Sequence, residues 1–456
     1  MRVLWYHSRR NENQGEAFQP HMSDTLADAV PLDEPPSRFG IVRECPECGL
    51  FQAIPSQRPG TIAECFRCEA SLRRRRRNSL DVTLALNVTG LILFVVATAF
   101  PLLGLSLAGQ ERMTTLARLP ATFLSQGLWQ LTWVVLGTTI LAPMMKLVLT
   151  IGVIIGLRRG EPGARLATMA RWRAKLTPWA MTEVFLLGAF VAYTRLSAIA
   201  TVEVGVALYA LFALMLAMVA SDAWLDEHAL WEAIGRLLPS RPQTTSLENR
   251  GEPIGCDTCG LVSQGHEGEP CPRCRVALRH RKHESLARTW ALLMAAFLCY
   301  IPANLYPVMT VIRFGQGAPS TILGGVQELI EYRMWPLAAL VFIASVAVPV
   351  LKFVGLLIML ISTQRNSGAG LRDRTRLYRI VETIGRWSMI DVFMVSILAA
   401  LVRMGMLASI LPGLGGVFFA AVVILTMLAS FSFDPRLMWD AAGAPACADA
   451  MAEGVA

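Results

Sequence analysis

Cys45-Pro-Glu-Cys48 and Cys65-Phe-Arg-Cys68 stand just before the first long apolar stretch of the chain. Cys256-Asp-Thr-Cys259 and Cys271-Pro-Arg-Cys274 stand in the same way before the apolar stretches of the second half. The landmarks that follow each foursome also recur, and the numbers within each pair differ by 206 or 208: Ser79 and Ser285, Pro101 and Pro307, Trp129 and Trp335, Lys146 and Lys352, Glu183 and Asp391. Self-similarity at a fixed spacing indicates an internal repeat. The sequence therefore predicts a duplicated unit, in which a small metal module precedes a membrane domain.

The composition is that of a membrane protein. Hydrophobic residues make up 54% of the 456 residues, charged residues only 17%, and the mean hydropathy is +0.46. These values lie far from those of soluble domains. A spanning helix needs about 20 apolar residues, and eight stretches approach or exceed that length: 82–107, 128–157, 176–194, 204–221, 289–312, 334–362, 387–402 and 414–433. We expect four spans in each half, joined by turns such as the one at 195–203.

The net charge of +8 follows from basic residues beside the apolar stretches. They collect at 73–77, 158–175, 279–282 and 365–386, and these segments fall on one side of the membrane if every span crosses it. Cytoplasmic loops carry such an excess of Lys and Arg. Both termini and both cysteine modules should therefore be cytoplasmic, and the loop around residue 316 periplasmic. The same placement speaks against a nucleic-acid partner, which would require a basic patch on a folded surface.

The predicted fold class is an all-α polytopic membrane protein of two tandem repeats. Each repeat consists of a small cytoplasmic four-cysteine zinc ribbon and a four-helix transmembrane domain. The first 39 or so residues lack an apolar core, so they are a polar tail rather than a signal peptide. The expected boundaries are a disordered N-terminal tail (1–40), zinc ribbon 1 (41–72), transmembrane domain 1 (79–222), a linker (223–252), zinc ribbon 2 (253–282), transmembrane domain 2 (285–434) and a C-terminal tail (435–456).

The cysteine spacings are C-x2-C-x16-C-x2-C and C-x2-C-x11-C-x2-C. Paired CxxC knuckles offer four thiolates at the corners of a tetrahedron, which suits zinc. We therefore expect two zinc ions, bound by Cys45, Cys48, Cys65 and Cys68 and by Cys256, Cys259, Cys271 and Cys274. Closed sites of this kind are structural. Disulfides are disfavoured in a reducing compartment, whereas an iron site on the same thiolates remains an alternative.

Ionisable residues inside the predicted spans form the second signal. Lys146 and Lys352 lie deep in the second helix of each repeat, and Glu183 and Asp391 lie near the cytoplasmic end of the third. Each such charge costs about 2.5 to 3.5 kcal/mol at the bilayer centre. They either mark a functional pathway or pair as lysine and carboxylate to join the two helices. We expect Lys352 and Asp391 to meet, with Ser388 on the same helical face as Asp391.

Two arginines and three polar residues lie toward the outer surface. Arg195 and Arg403 are placed where snorkelling to the interface would explain them. Pro302 and Pro307 interrupt the fifth span, and freed backbone groups are tolerated in a membrane where they line a cavity. A simple helix cap is the alternative. The first repeat lacks the polar residues of this region, so we expect the working cavity in the second repeat, with its mouth lined by Asn304, Ser320 and Thr321.

These features resemble the paraquat-inducible protein A family, whose members include inner-membrane partners of MCE (mammalian cell entry) lipid-transport proteins. The resemblance extends from Cys45 to Asp440, and its most specific stretches are Tyr300-Ile-Pro-Ala-Asn-Leu-Tyr-Pro307, Pro319-Ser-Thr-Ile-Leu-Gly324, Val348-Pro-Val-Leu-Lys352, Gly385-Arg-Trp-Ser-Met-Ile-Asp-Val-Phe393, Ala400-Leu-Val-Arg-Met-Gly405 and Phe433-Asp-Pro-Arg-Leu-Met-Trp-Asp440. It implies a multi-pass protein of a Gram-negative inner membrane, with cytoplasmic zinc ribbons. It also implies a periplasmic MCE-domain partner that forms a tunnel for lipids.

The expected function is that of a membrane subunit which passes phospholipid, or a similar amphiphile, to or from the MCE partner. Two alternatives stay open: a redox or stress-response protein that uses its CxxC metal sites, and a structural anchor for the partner. The sequence shows no Walker loop, no serine–histidine–aspartate arrangement and no HExxH motif, so we do not expect an enzyme.

Overall fold

The computed structural model describes residues 41–54, 60–107, 110–197, 201–238, 253–313, 316–331, 333–402 and 408–443. The predicted N-terminal tail, Arg403 and most of the C-terminal tail lie outside the described residues. Within them, eight helices are long and apolar enough to cross a membrane: Ser79–Ala99, Trp129–Arg159, Gly163–Ser197, Val206–Trp224, Ser285–Leu305, Trp335–Gln364, Leu371–Leu401 and Leu414–Ser432. This confirms the predicted fold class, with four spanning helices in each half.

Several spans consist of more than one helical segment. The helices of repeat 1 are α1 (Ser79–Ala99), α2 (Arg118–Leu124), α3 (Trp129–Leu136), α4 (Ala142–Arg159), α5 (Gly163–Leu176), α6 (Thr182–Ser197), α7 (Val206–Trp224) and α8 (Glu227–Arg236). Those of repeat 2 are α9 (Ser285–Leu305), α10 (Ile322–Glu331), α11 (Trp335–Phe342), α12 (Val348–Gln364), α13 (Leu371–Ile384), α14 (Ile390–Leu401), α15 (Leu414–Ser432) and α16 (Arg436–Ala441). A π-helical turn joins α3 to α4 and another joins α11 to α12, at matching places in the two repeats.

Twelve short strands accompany these helices in the described part of the chain. The first ribbon has β1 (Ile41–Glu44), β2 (Phe51–Ile54), β3 (Ile62–Glu64) and β4 (Ser71–Arg74), and the second has β8 (Pro253–Gly255) and β9 (Val262–Gln264). Repeat 1 contributes β5 (Pro101–Leu107), β6 (Gln110–Thr115) and β7 (Thr201–Val204), and repeat 2 contributes β10 (Met309–Arg313), β11 (Gln316–Ser320) and β12 (Ala408–Pro412).

Each membrane repeat carries a three-stranded antiparallel sheet at the end opposite its ribbon, and this differs from the predicted boundaries. Strand β5 lies between β6 and β7, and β10 lies between β11 and β12. The first span ends at Ala99 rather than Leu107, and the fifth at Leu305 rather than Ile312, because the chain then enters β5 or β10. Apolar composition predicts burial but does not distinguish the end of a helix from a buried strand. The expected turn at 195–203 likewise contains part of β7.

The ribbons cross over between the repeats. The buried cysteines of ribbon 1 belong to one apolar cluster with residues of repeat 2, among them Leu356, Met359, Tyr378, Phe433 and Trp439. The cysteines of ribbon 2 belong to a cluster with residues of repeat 1, among them Val153, Leu166, Leu230, Trp231 and Ile234. A small metal module has little apolar surface of its own to bury. Each ribbon therefore completes its core against the membrane domain that it does not precede.

The two membrane repeats pack through α6 and α14. Phe185 and Phe393 meet edge to face with their ring centroids 5.6 Å apart. A Cβ atom added at Gly188 would lie 3.0 Å from the Cβ of Phe393, so a larger residue there would require the two helices to shift apart by a few tenths of an ångström. Eleven of the twelve residues of α14 are buried. This helix is therefore the centre of the membrane-embedded core, and Asp391 lies within it.

Candidate metal centres and intramembrane polar sites

The first CxxC pair of each foursome lies in a knuckle turn that ends at a glycine. In the first turn the amide of Gly49 donates to the carbonyl of Cys45 at 3.0 Å, and Gly49 has a φ of 71°. Gly260 repeats this geometry in ribbon 2, with a φ of 65° and a 2.9 Å bond to the carbonyl of Cys256. Positive φ is accessible to glycine without steric cost. The turns direct both sulfurs of each CxxC pair to one side.

Both foursomes have the dimensions of a tetrahedral thiolate site. All eight cysteines are buried, and within each foursome the four Sγ atoms lie within 4.8 Å of one another. Zinc–sulfur bonds of about 2.3 Å in a tetrahedron place sulfurs about 3.8 Å apart, and Cys45 and Cys68 are separated by 3.6 Å and Cys256 and Cys274 by 3.4 Å. The residues present therefore fit a metal ion in each ribbon.

In both foursomes, the first cysteine of the second CxxC pair has a lowered pKa. Hydrogen bonds from the other three thiols lower the pKa of Cys65, and the bond from Cys45 has the largest effect. Hydrogen bonds from the other three thiols of ribbon 2 lower the pKa of Cys271 in the same way, and the bond from Cys256 has the largest effect. Thiolates rather than thiols bind metals. Cys65 and Cys271 thus favour the thiolate form that binds a metal.

In repeat 1, the buried lysine pairs with a different carboxylate from the one proposed. The Nζ of Lys146 lies 2.6 Å from Oδ2 of Asp222, near the end of α7, and the lysine side chain is 6% exposed. A structural lysine–carboxylate pair is therefore present, but it joins the second and fourth spans rather than the second and third. Glu183 has an interaction of its own. The sequence signal for Asp222 was its place at the end of a span, within reach of a lysine stem.

In repeat 2, Lys352 is almost completely buried and is held by neutral groups. Its Nζ donates to the carbonyl of Gly385 at 2.8 Å and to Oγ1 of Thr426 at 3.2 Å. Gly385 follows the last residue of α13, where the chain turns into a 3-10 segment. The carbonyl end of a helix attracts positive charge. The ammonium group is thus stabilised by a helix end and a hydroxyl.

Asp391 occupies a separate site, so the predicted contact between Lys352 and Asp391 is not formed. Ser345, in the π-helical turn before α12, donates its hydroxyl to Oδ2 of Asp391. Ser345 and Lys352 are seven residues apart on the same helix, which corresponds to about 10 Å along its axis. Because Asp391 lies level with Ser345 rather than with Lys352, no ion pair joins the two charges in the part of the chain that the structure describes.

Two buried polar atoms at the Asp391 site have no hydrogen-bond partner among the described residues. They are the other carboxylate oxygen, Oδ1, and the hydroxyl of Ser388. A cavity of about 10 Å³ adjoins Asp391, lined also by Phe123, Leu131, Val308, Val392, Val395, Gly416 and Phe419. That volume is close to the smallest that holds one water molecule. The lining comes from both repeats, so this polar site lies at their interface.

The three residues expected at the cavity mouth make local hydrogen bonds. The amide of Asn304 donates to the carbonyl of Tyr300 at 2.9 Å, one turn earlier in α9. Thr321 accepts from the amide of Gly324 at 3.2 Å and so caps α10, while the hydroxyl of Ser320 is 3.4 Å from the carbonyl of Thr321. These contacts favour the alternative interpretation, in which the three residues cap and end helices. All three residues are half-buried and lie on the side of the membrane domain opposite the ribbons.

Arg195 has a partner in the other repeat. Its guanidinium donates to the carbonyl of Gly325, in α10, at 3.1 Å. The contact joins α6 of repeat 1 to repeat 2, a role that snorkelling did not predict. Arg403, its counterpart in the second repeat, lies outside the described residues.

A buried charge cluster beside the ribbons was missed at the sequence level. Arg436 donates to Asp434 at 3.0 Å and to Glu44 at 3.1 Å, and it lies 3.0 Å from Asp257. Glu44 precedes the first metal ligand, and Asp257 lies within the first knuckle of ribbon 2. Asp434 also accepts from the amide of Lys282 at 3.0 Å. The signal was present in the stretch Phe433–Asp440, where two acids and an arginine follow an apolar span without a solvent-exposed loop.

Comparison with known proteins agrees with this architecture. Residues 80–235 and 286–443, the two membrane repeats, match the family described as paraquat-inducible protein A. The chain belongs to this family. The intermembrane transport protein PqiA of Escherichia coli is 33% identical over 405 residues, which covers 87% of this chain and 95% of the relative.

Two further relatives extend the comparison. The lipophilic envelope-spanning tunnel protein A of Escherichia coli is 32% identical over 409 residues, 88% of this chain and 92% of the relative. A probable intermembrane transport protein of Haemophilus influenzae is 26% identical over 421 residues, 90% of this chain and 97% of the relative. No solved structure matches the chain. Together with the eight apolar helices, these relatives identify a bacterial multi-pass membrane protein.

Proposed function

We propose that this protein is the inner-membrane subunit of an intermembrane lipid transport system. It would pass phospholipid or a similar amphiphile to or from a periplasmic MCE-domain protein. The observation that carries the proposal is the alignment over nearly the full length of two Escherichia coli proteins named for intermembrane transport and for an envelope-spanning tunnel. Because the alignment includes both membrane repeats, the whole membrane architecture is shared and not one domain alone.

Each ribbon would hold one zinc ion. Four buried thiolates in a tetrahedron leave no open coordination position, so the metal would contribute folding free energy and would not activate a substrate. Zinc would fix the knuckles whose outer surfaces contact the opposite membrane repeat. This structural role does not require the redox chemistry of the rival interpretation.

The second repeat is the better candidate for the lipid-handling unit. Repeat 1 neutralises its buried lysine with Asp222, whereas Lys352 has only neutral partners and Asp391 retains an unpaired oxygen. Buried charge of this kind is costly in a membrane and usually serves a pathway. We propose that Lys352, Asp391 and Ser388 form the polar base of that pathway, in two adjacent sites instead of one cluster.

The outer end of this pathway would lie at Asn304, Ser320 and Thr321. Large apolar side chains beside them are exposed: Leu305 by 73%, Tyr306 by 50% and Leu323 by 50%. Such a surface suits acyl chains, with polar groups close by for a headgroup. Since the cavity at Asp391 holds about 10 Å³, passage of a lipid through the interior would require α14 and its neighbours to separate.

The test is complementation of an envelope-sensitive deletion strain by variants of buried lysines. Lys352→Ala should abolish complementation while the protein accumulates and still binds its partner. Lys352→Met, which retains most of the side-chain volume, separates loss of charge from loss of packing. Lys146→Met is the matched control, and it should retain activity to a greater extent. Full complementation by both Lys352 variants would contradict the proposed role of the second repeat.

A further inference from the structure

A cavity lies between ribbon 2 and the membrane repeat that follows it. It has a volume of about 490 Å³. Its lining comes from the ribbon and from the adjoining ends of α9 and α15: Asp257, Thr258, Val276, Ala277, Arg279, Lys282, His283, Arg288, Phe431 and Ser432. Pockets that bind small ligands have volumes of roughly 300 to 1,000 Å³.

The cavity is positively charged. Arg279, Lys282 and Arg288 contribute three cations, and the single acid in the lining, Asp257, is already paired with Arg436 at 3.0 Å. No ion pair in the described ranges involves Arg279 or Arg288. Within those ranges the charges of Arg279 and Arg288 thus have no carboxylate partner, which favours an anion in the cavity.

The ammonium group of Lys282 is fixed on the wall of the cavity at the end of α15. Its Nζ donates to the carbonyls of Phe431 and Phe433 at 2.9 and 3.0 Å, at the end of α15. Burial lowers the pKa of Lys282, although the negative charge of Asp434 partly opposes this effect. An ammonium group has three N–H donors. Two of them hold the lysine in place, and a nearby anion would offset the cost of its buried charge.

In repeat 1, the basic residues at the equivalent positions have partners within the protein. Arg73 and Arg76 stand 206 residues before Arg279 and Lys282. Arg73 lies 3.5 Å from a carboxylate oxygen of Glu232. The guanidinium of Arg76 stacks over the ring of Trp224, 4.9 Å from its centroid. The cations of repeat 1 thus have partners within the protein, whereas those of repeat 2 face a cavity.

The cavity lies at the level where the membrane ends. Ser285 begins α9 and donates its hydroxyl to the carbonyl of Ser432, the last residue of α15, at 2.8 Å. The two spanning helices therefore end side by side on the ribbon side of the membrane. Farther along α9, Leu298 is 63% exposed, as expected for a lipid-facing side chain. Basic pockets at this level bind anionic headgroups.

We propose that this cavity is a binding site for a phosphate-type anion, contacted by Arg279, Lys282 and Arg288. The same chemistry is offered by the headgroup of an anionic phospholipid in the ribbon-side leaflet and by a soluble phosphate compound. Arginine binds phosphate through two parallel N–H···O bonds, and lysine adds a point charge. The apolar side chains of Phe431 and Val276 would contact the glycerol or the first acyl carbons of a lipid. The site is independent of the lipid pathway proposed above.

The test measures binding of phosphatidylglycerol to the purified, metal-loaded full chain by native mass spectrometry. In Arg279→Gln/Arg288→Gln we expect the affinity to fall at least about tenfold, because charge-assisted hydrogen bonds are lost. Ala277→Trp, which fills the cavity from an exposed position, should weaken binding without removing a charge. The matched control is Arg159→Gln/Arg365→Gln, which removes two exposed arginines at the ends of α4 and α12.

Competition then distinguishes the two sources of the anion. If millimolar inorganic phosphate or glycerol 3-phosphate displaces the lipid, the natural ligand is a soluble phosphate compound. If the lipid remains bound, the ligand is a headgroup of the leaflet. The proposal is overturned if the control pair weakens binding as much as the cavity pair does, because attraction would then be general. Unchanged binding by both the cavity pair and Ala277→Trp would also overturn it.

Discussion

Glu44 and Arg436 form an ion pair 3.1 Å apart although 392 residues separate them in the chain. Their side chains are 6% and 3% exposed. Glu44 immediately precedes Cys45, the first cysteine of ribbon 1, and Arg436 begins the short helix that follows the last span of repeat 2. This contact joins the two ends of the described chain. It shows that ribbon 1 is docked on the opposite membrane repeat.

Removing Arg436 should therefore loosen the docking of ribbon 1. Arg436→Met leaves Asp434 buried without its guanidinium partner and leaves Glu44 with Arg281 alone, at 3.2 Å. Breaking a buried pair in this way costs about 3 to 5 kcal/mol. Thermal unfolding of the detergent-solubilised protein measures the loss. Arg376→Gln is the control, because the pair of Arg376 with Glu69 is exposed and such pairs contribute about 0 to 1 kcal/mol. Equal destabilisation by the two variants would contradict the buried docking contact.

Metal analysis should find two zinc ions per chain in the native protein. Cys271→Ser should reduce the content to about one ion and lower the yield of folded protein, because metal binding and folding of a ribbon are coupled. Cys299→Ser is the control, since Cys299 lies in α9, outside both foursomes. Inductively coupled plasma mass spectrometry provides the count. A visible iron chromophore would favour the redox alternative.

Acidification should destabilise the protein through His228. Burial, followed by the positive charge of Arg43, lowers the pKa of His228 from 6.5 to about 3. The unfolded chain binds a proton below pH 6.5 and the folded chain does not, so stability decreases as the pH falls from 6.5 toward 3. Between pH 7.5 and 5.5 this histidine should remove about 1.4 kcal/mol from the free energy of unfolding.

His228→Gln tests this prediction, and His266→Gln is the control because His266 is exposed on ribbon 2. Denaturant unfolding at the two pH values should show a smaller loss in His228→Gln than in the wild type. His266→Gln should behave like the wild type. The assignment to His228 is wrong if its replacement leaves the pH dependence unchanged.

The excess of basic residues predicts the topology, with the ribbons inside and the two outer sheets in the periplasm. A cysteine introduced at position 316, in β11, should react with a membrane-impermeant maleimide in intact cells. A cysteine at Glu267, exposed on ribbon 2, should react only after permeabilisation. Cys299→Ser/Cys447→Ser provides the background. Reaction of both positions from the outside, or of neither, would contradict the eight-span arrangement.

The metal foursomes and the eight spans could be predicted from the sequence because both depend on local patterns. Cysteine spacing specifies a knuckle, and an apolar run of about 20 residues specifies a span. The outer sheets were missed for a related reason. Pro101–Leu107 and Met309–Arg313 continue the apolar composition of the preceding helices, so periodicity alone does not show where the helix gives way to a strand.

The partners of buried groups could not be predicted, because they depend on packing between distant segments. The sequence offered Glu183 as the carboxylate for Lys146, and only helix packing shows that Asp222 is its partner. Asp391 and Lys352 were expected to meet because a lysine stem is long. The register of α12 against α14 instead places Ser345 beside Asp391. The packing of each ribbon on the opposite repeat has no local signal in the sequence beyond the charged residues of Phe433–Asp440.

The most direct test of the proposed function is a lipid-transfer experiment. Proteoliposomes containing the full chain and a fluorescent phospholipid are mixed with the purified periplasmic MCE-domain partner, and the partner is then separated and its lipid measured. We predict transfer well above that from protein-free liposomes, and a loss of this excess in Lys352→Met but not in Lys146→Met. Transfer no greater than in protein-free liposomes, with a partner that binds the chain, would contradict the account.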